Sequence, residues 1–233
     1  GINPAFKSQA EYLRILKSGA CLGCHQLGSK GTRELRPELG EFSSSVAAWA
    51  RRLQSGQAGG SMFGMAQQAG PRMLEIYADW TDRIAAGELP PTPPRPQGIE
   101  RNVVITMWDW ADPKGYLHDL VSTDRRNPTV NANGPIFAVM EASADYLPVL
   151  DPLTHTASRV PVTVRDPNTP STGQQPPLQP SPYWGSERIW NSQANVHNPM
   201  FDELGRVWLT ARVRGPDNPS FCKAGSDHPS AKV

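Results

Sequence analysis

Several things are scarce in these 233 residues. Cysteine occurs three times, too seldom for the disulfide framework that holds small secreted domains together. No run of about 18 apolar residues is present, so no segment of the sequence reads as a membrane-spanning helix. Neither sign of charge dominates: 23 basic against 22 acidic side chains leave +1, which excludes a nucleic-acid partner held through a basic surface. Residues 1–20 lack both the basic and the apolar region of a secretory signal. The length allows one or two modules of about 100–150 residues each.

Proline and glycine are abundant instead, at 24 and 20 residues, and they cluster. Glu88 to Gly98 reads ELPPTPPRPQG. Five prolines there remove backbone donors and predict an extended, polyproline-like connector. This places a linker at 89–98 between a module at 1–88 and a second at 99–233. Charge divides the same way: 11 basic and 8 acidic residues precede position 99, and 12 and 14 follow.

In the first module apolar residues recur at helical spacing. Phe6, Ala10, Leu13 and Leu16 form one stripe, and Phe42, Val46, Trp49 and Leu53 a second. Met73, Tyr77, Trp80 and Ile84 form a third, with Pro71 near its start and Gly87 and Pro90 at its end. Met73, Tyr77 and Trp80 are expected in the core. The second module turns to runs rich in β-branched and aromatic residues: 103–110, 136–140, 146–150, 160–164 and 206–213. Residues 167–182 read as a long loop or ordered coil over the surface.

Residues 21–25 are Cys21-Leu22-Gly23-Cys24-His25, the C-x-x-C-H pattern of covalent c-type haem attachment. Two thiols at this spacing add to the two vinyl groups on one porphyrin edge while the adjoining imidazole turns back to the iron. Composition alone would produce the pattern about once in a thousand such chains. A thioredoxin-like redox pair requires a strand-helix-strand setting, and a structural zinc requires a fourth ligand, for which only the distant Cys222 remains. Cys222 itself reads as a buried or loop thiol.

With this motif, residues 5–88 resemble a class I cytochrome c domain. The resemblance implies thioethers at Cys21 and Cys24, one covalent haem c, and His25 as proximal ligand. Arg36-Pro37-Glu38-Leu39-Gly40 stands where such domains carry a turn whose proline carbonyl accepts from the ligating imidazole, so Pro37 is the candidate acceptor. The sixth ligand is expected from a methionine loop, Gly59 to Met65. Met62 is preferred because the Gly59-Gly60 pair lets the backbone approach the porphyrin face, and Met65 is the alternative. If both methionines only pack against the haem, the iron is left open to other ligands.

In the second module, Asp202 to Thr210 (DELGRVWLT) and Tyr146 to Thr154 (YLPVLDPLT) resemble strand-and-turn signatures of streptogramin-lyase-like and NHL-type β-propellers. About 135 residues supply at most three blades, so an incomplete propeller is expected. The expected fold class is therefore α + β in separate domains: a small all-α cytochrome c domain, then a mostly-β, partly propeller-like module. Asn127, Asn131, Asn133, Asn195, His197 and Asn198 sit beside Gly or Pro or in short polar runs and read first as turn chemistry. His118, His155 and His228 have still less context.

The function expected from these features is electron transfer through one His/Met-ligated haem c, to a redox partner protein or a neighbouring propeller active site. A carrier is favoured over a catalyst, and no catalytic residue is assigned. The alternatives are a cell-envelope binding, scaffold or haem-sensing protein, and a propeller lyase or hydrolase whose catalytic residues lie outside this chain. Covalent haem c also implies a periplasmic or otherwise exported location, and the sequence is expected to be an excerpt of an exported chain.

Overall fold

A computed structural model describes residues 4–19, 21–171, 173, 175–212 and 220–229. The chain forms two compact units, one comprising 1–108 together with 175–187 and the other 109–174 with 188–233.

Short polar caps start the helices of the first unit. The Ser8 hydroxyl accepts from Glu11 N–H at 3.1 Å and opens α1 (Gln9–Arg14), which runs on into a wider turn at Ile15–Gly19. A four-residue α2 (Lys30–Arg33) follows. Ser44 caps α3 (Ser45–Arg52) by accepting from Ala47 N–H, and Arg51 and Arg52 in its last turn complement the helix dipole. Then come α4 (Gly59–Ala69) and α5 (Arg72–Ala85).

Their apolar faces meet in one core containing Tyr12, Trp49, Leu53, Met73 and Tyr77. Each large apolar side chain so buried is worth about 1.5–3 kcal/mol before entropy is charged against it. The second and third predicted stripes supply this core, and Met73 is fully buried. Of the first stripe, Phe6 and Leu16 pack against this core, but its middle is out of phase. Tyr12 is buried at 3% exposure while Leu13 stands 37% exposed, because a six-residue helix presents only one turn to the core and the larger ring takes it.

In the second unit β1 (Asp119–Val121), β2 (Ile136–Val139), β3 (Tyr146–Asp151) and β4 (Thr156–Pro161) form an antiparallel meander in that order. The register runs from Asp119 opposite Val139 to Asp151 opposite Thr156. β5 (His197–Phe201) and β6 (Val207–Thr210) form a separate two-stranded sheet with an irregularity between His197 and Met200. Asp202 organises its turn, accepting from Leu204 N–H, Arg206 N–H and Trp208 Nε1–H. Gly205 takes the left-handed conformation that closes it (φ 76°).

These observations correct the expected fold class. Five short helices and two small antiparallel sheets are found. They do not make an all-α cytochrome c domain followed by a partial propeller, and no closed propeller forms among the described residues. Two physical causes stand out. The run at 103–110, rich in β-branched residues, pairs with nothing as a strand. Val104 and Met107 stay 87% and 89% exposed, since β-propensity is expressed only against a partner strand. Residues 175–187, which take in the end of the 167–182 stretch expected as a loop or ordered coil of the second module, belong to the helical unit, where Ser55 and Gln179 form a parallel bridge. No helix among the described residues is long and apolar enough to cross a membrane.

Gly59 shows how tightly α4 enters the core, because a Cβ there would lie 2.2 Å from the Gln54 carbonyl oxygen, whereas one on Gly60 would meet nothing within 4 Å. Gly59→Ala is therefore expected to lower stability by about 1–3 kcal/mol through overpacking. Gly60→Ala is expected to be neutral or stabilising by up to about 1 kcal/mol. Urea unfolding midpoints of the two variants check the contrast.

Candidate functional site

The C-x-x-C-H motif closes on itself. Cys21–Gly23 forms a single tight turn, in which Cys24 N–H and His25 N–H both donate to the Cys21 carbonyl, at 3.2 and 2.7 Å. Cys21, Cys24 and His25 consequently line one recess of the first unit. Its cavity volume is about 200 Å³, below the range of about 300–1,000 Å³ common for cofactor and ligand sites, but its walls are mainly apolar as theirs are and include Leu27, Trp49, Leu53 and Trp80.

Met62 and Met65 line the same recess, but not from a loop. Both lie on α4, three residues apart and so on one face. The Ser61–Ala69 stretch is rich in alanine, methionine and glutamine, which outweigh the two glycines in front of it. Gly59 does bring backbone into close approach, but to Gln54. Met62 also packs against the buried core.

Pro37 is not brought to the recess. It opens a turn at Pro37–Leu39, its carbonyl accepts from Gly40 N–H at 2.9 Å, and its ring borders a separate shallow depression with Phe42 and Ala48. The His25 imidazole makes no hydrogen bond among the described residues. Burial, reinforced by the neighbouring Arg52 guanidinium, lowers the pKa of His25 below the ordinary histidine value. At neutral pH the ring is accordingly neutral and keeps a lone pair for a metal.

Aromatic packing forms the inner wall. The rings of Trp49 and Tyr77 lie 5.4 Å apart and those of Tyr77 and Trp80 6.4 Å apart. The Tyr77 hydroxyl donates to Cys21 Sγ at 3.1 Å. Burial, with this bond second, pushes the phenol well above its usual range, so Tyr77 is a neutral donor that fixes one thiol of the motif. Trp49 Nε1–H donates to Thr81 Oγ1, whose own hydroxyl returns to the Tyr77 carbonyl.

Four contributors have no motif. Among the described residues Arg52 is the one permanently charged side chain in the lining. It donates to the carbonyls of Gly31 and Thr32 and so ties the segment after His25 to α3. Ser181, Pro182 and Tyr183 complete the rim. They are held by Gln179 N–H to the Gln54 carbonyl, Arg51 to the Pro180 carbonyl, and Arg36 over the Tyr183 ring. The aromatic pair Tyr183-Trp184 after a proline-rich stretch was the available sequence signal for them.

The surroundings disfavour the other uses of two cysteines. No strand flanks the motif among the described residues, as a thioredoxin-like pair would require. The donor atoms of Cys21, Cys24 and His25 are not gathered within 4.8 Å of one another, as zinc ligands would be. The side chain of Cys222 lies outside the described residues. Comparison with protein-family models, with curated proteins and with solved structures finds no match.

Arg52→Leu removes the donor from two backbone carbonyls and is expected to cost about 1–3 kcal/mol. It should appear as a lower urea midpoint with an unchanged slope.

Proposed function

We propose that the first unit binds one covalent haem c and transfers single electrons. The observation that carries this reading is the convergence of Cys21, Cys24 and His25 with two methionines on a single apolar recess. Cys21 and Cys24 would hold the porphyrin through thioethers, the neutral His25 would ligate one side of the iron, and Met62 the other. Met62 is preferred to Met65 because it packs against the buried core, which limits the freedom of its thioether. A bound haem supplies a one-electron couple whose potential the axial ligands set.

The chain's own residues have separate tasks in this reading. Tyr77 and Trp49 exclude water from the inner wall and keep the surroundings of low dielectric, which favours the less charged oxidation state. Arg52 offers the positive charge that a carboxylate-bearing cofactor needs at the edge of an otherwise apolar recess. Pro37 is dropped as partner of His25, since its carbonyl serves Gly40. The partner is a redox protein, and the location follows from the chemistry: covalent haem attachment takes place outside the bacterial cytoplasm, so the chain is exported.

Met62→Ala is expected to convert a low-spin reduced spectrum into a high-spin one that binds carbon monoxide. It should also lower the reduction potential by on the order of 0.1 V, within the ~0.8 V that axial ligands span. Met65→Ala should leave both unchanged. If the two variants exchange these behaviours, Met65 is the ligand. A wild-type ferrous form that is already high-spin overturns electron transfer in favour of ligand binding at an open iron.

A further inference from the structure

In the second unit three strands deliver metal-type side chains to one place. His118 immediately precedes β1, Glu141 lies just beyond β2, and His197 opens β5. A bridge between Glu141 and Val196 sets the carboxylate beside His197. Glu141 then lies between two imidazoles, Oε2 at 2.9 Å from His118 Nε2 and Oε1 at 3.1 Å from His197 Nε2. Asp119 Oδ1 is 2.9 Å from the opposite ring nitrogen of His118. One donor atom from each of His118, Asp119 and His197 falls within 4.8 Å of the others.

Hydrogen bonding does not account for this arrangement. His118 Nε2 is buried and has no hydrogen-bond partner, although a carboxylate oxygen is 2.9 Å away. The distance is right for a proton to be shared, so the alignment is what fails. Ligands bound about 2.1 Å from one ion at near-right angles lie about 3.0 Å apart, close to the 2.9 Å between Asp119 Oδ1 and His118 Nδ1. Two imidazoles and a carboxylate form a donor set that suits first-row transition metals and not calcium or magnesium.

We propose that His118, Asp119 and His197 bind a divalent transition-metal ion. Glu141 is the positioning residue, its two oxygens set against His118 Nε2 and His197 Nε2; the second Asp119 oxygen accepts from Asn198 N–H at 3.1 Å, so two carboxylates align both histidine-bearing strands. Asn195 and Asn198 flank His197 with left-handed backbone, φ 46° and 50°, which asparagine tolerates better than most residues. Asp145 fixes the approach to β5 by accepting from Ser192 Oγ–H, Gln193 N–H and Ala194 N–H. His197 and Asp119 are each about a third exposed, so an ion held by three protein ligands has positions facing solvent for water or a substrate oxygen. The site is independent of the haem reading.

The test uses the full chain, free of tags, dialysed against zinc chloride, with zinc counted per chain. Wild type is expected to hold one zinc more than His118→Ala/His197→Ala, and zinc should raise the melting temperature of the wild type alone. Glu141→Gln is expected to weaken binding about tenfold or more. Because the count is a difference between variants, zinc captured at Cys21, Cys24 and His25 cancels, and failure of the haem reading leaves the result intact. Asp119→Asn, which preserves size and can be checked for native circular dichroism, should also lose the extra zinc. Equal zinc counts in wild type and the histidine variant, retention of the extra zinc by natively folded Asp119→Asn, or no thermal effect of zinc on wild type overturns the proposal.

Discussion

The first unit depends on the contact between Trp49 of α3 and Tyr77 of α5. Their rings are 5.4 Å apart, and the indole N–H reaches Thr81, one turn beyond Tyr77 on the same helix. This contact fixes α3 and α5, the two helices with the most one-sided apolar faces, against each other. Both rings also face the recess. The same two side chains therefore serve as core and as cavity wall, so burial and site geometry cannot be changed independently. The Tyr77 hydroxyl extends the constraint to Cys21, the first residue of the motif.

The turn of the motif was legible because it is local. Five consecutive residues specify the C-x-x-C-H turn, and the structure folds them as a turn bonded to itself. The helical stripes through Trp49 and Met73 were legible for a similar reason, since periodicity survives without knowledge of partners. Contacts made across long stretches of sequence were not legible. Tyr183 reaches the recess from more than a hundred residues beyond Arg52, and apart from the aromatic pair Tyr183-Trp184 the composition of 175–187 reads as surface coil. Met62 and Met65 line the same recess as the motif, but their backbone was misjudged: a glycine pair reads as flexible, yet Gly59 is there because the Gln54 carbonyl leaves no room for a side chain. Pro37 failed because a turn matching a motif in order need not match it in space.

The second unit shows the same division. Turns built on one aspartate, such as Asp202 with its several donors, follow directly from the local sequence. The cluster around Glu141 does not, because His118 and His197 are 79 positions apart and meet only through the pairing of strands. Asparagines beside His197 were readable as turn residues, but Asn198 lies inside β5, at the irregularity in its pairing. Their left-handed backbone is also what turns Asn198 N–H toward Asp119. A run such as 103–110 shows the converse, with strong β-propensity and no strand, because propensity without a partner has nothing to pack against.

The central claim is that the recess of the first unit is a covalent haem site. The most direct measurement is the intact mass of the chain after production in an exporting bacterial host that carries haem-attachment machinery. The account predicts a mass raised by one haem, surviving acid and organic denaturation, and absent from Cys21→Ser/Cys24→Ser. A chain that carries only its polypeptide mass under those conditions, or haem that extracts freely on denaturation, would contradict it.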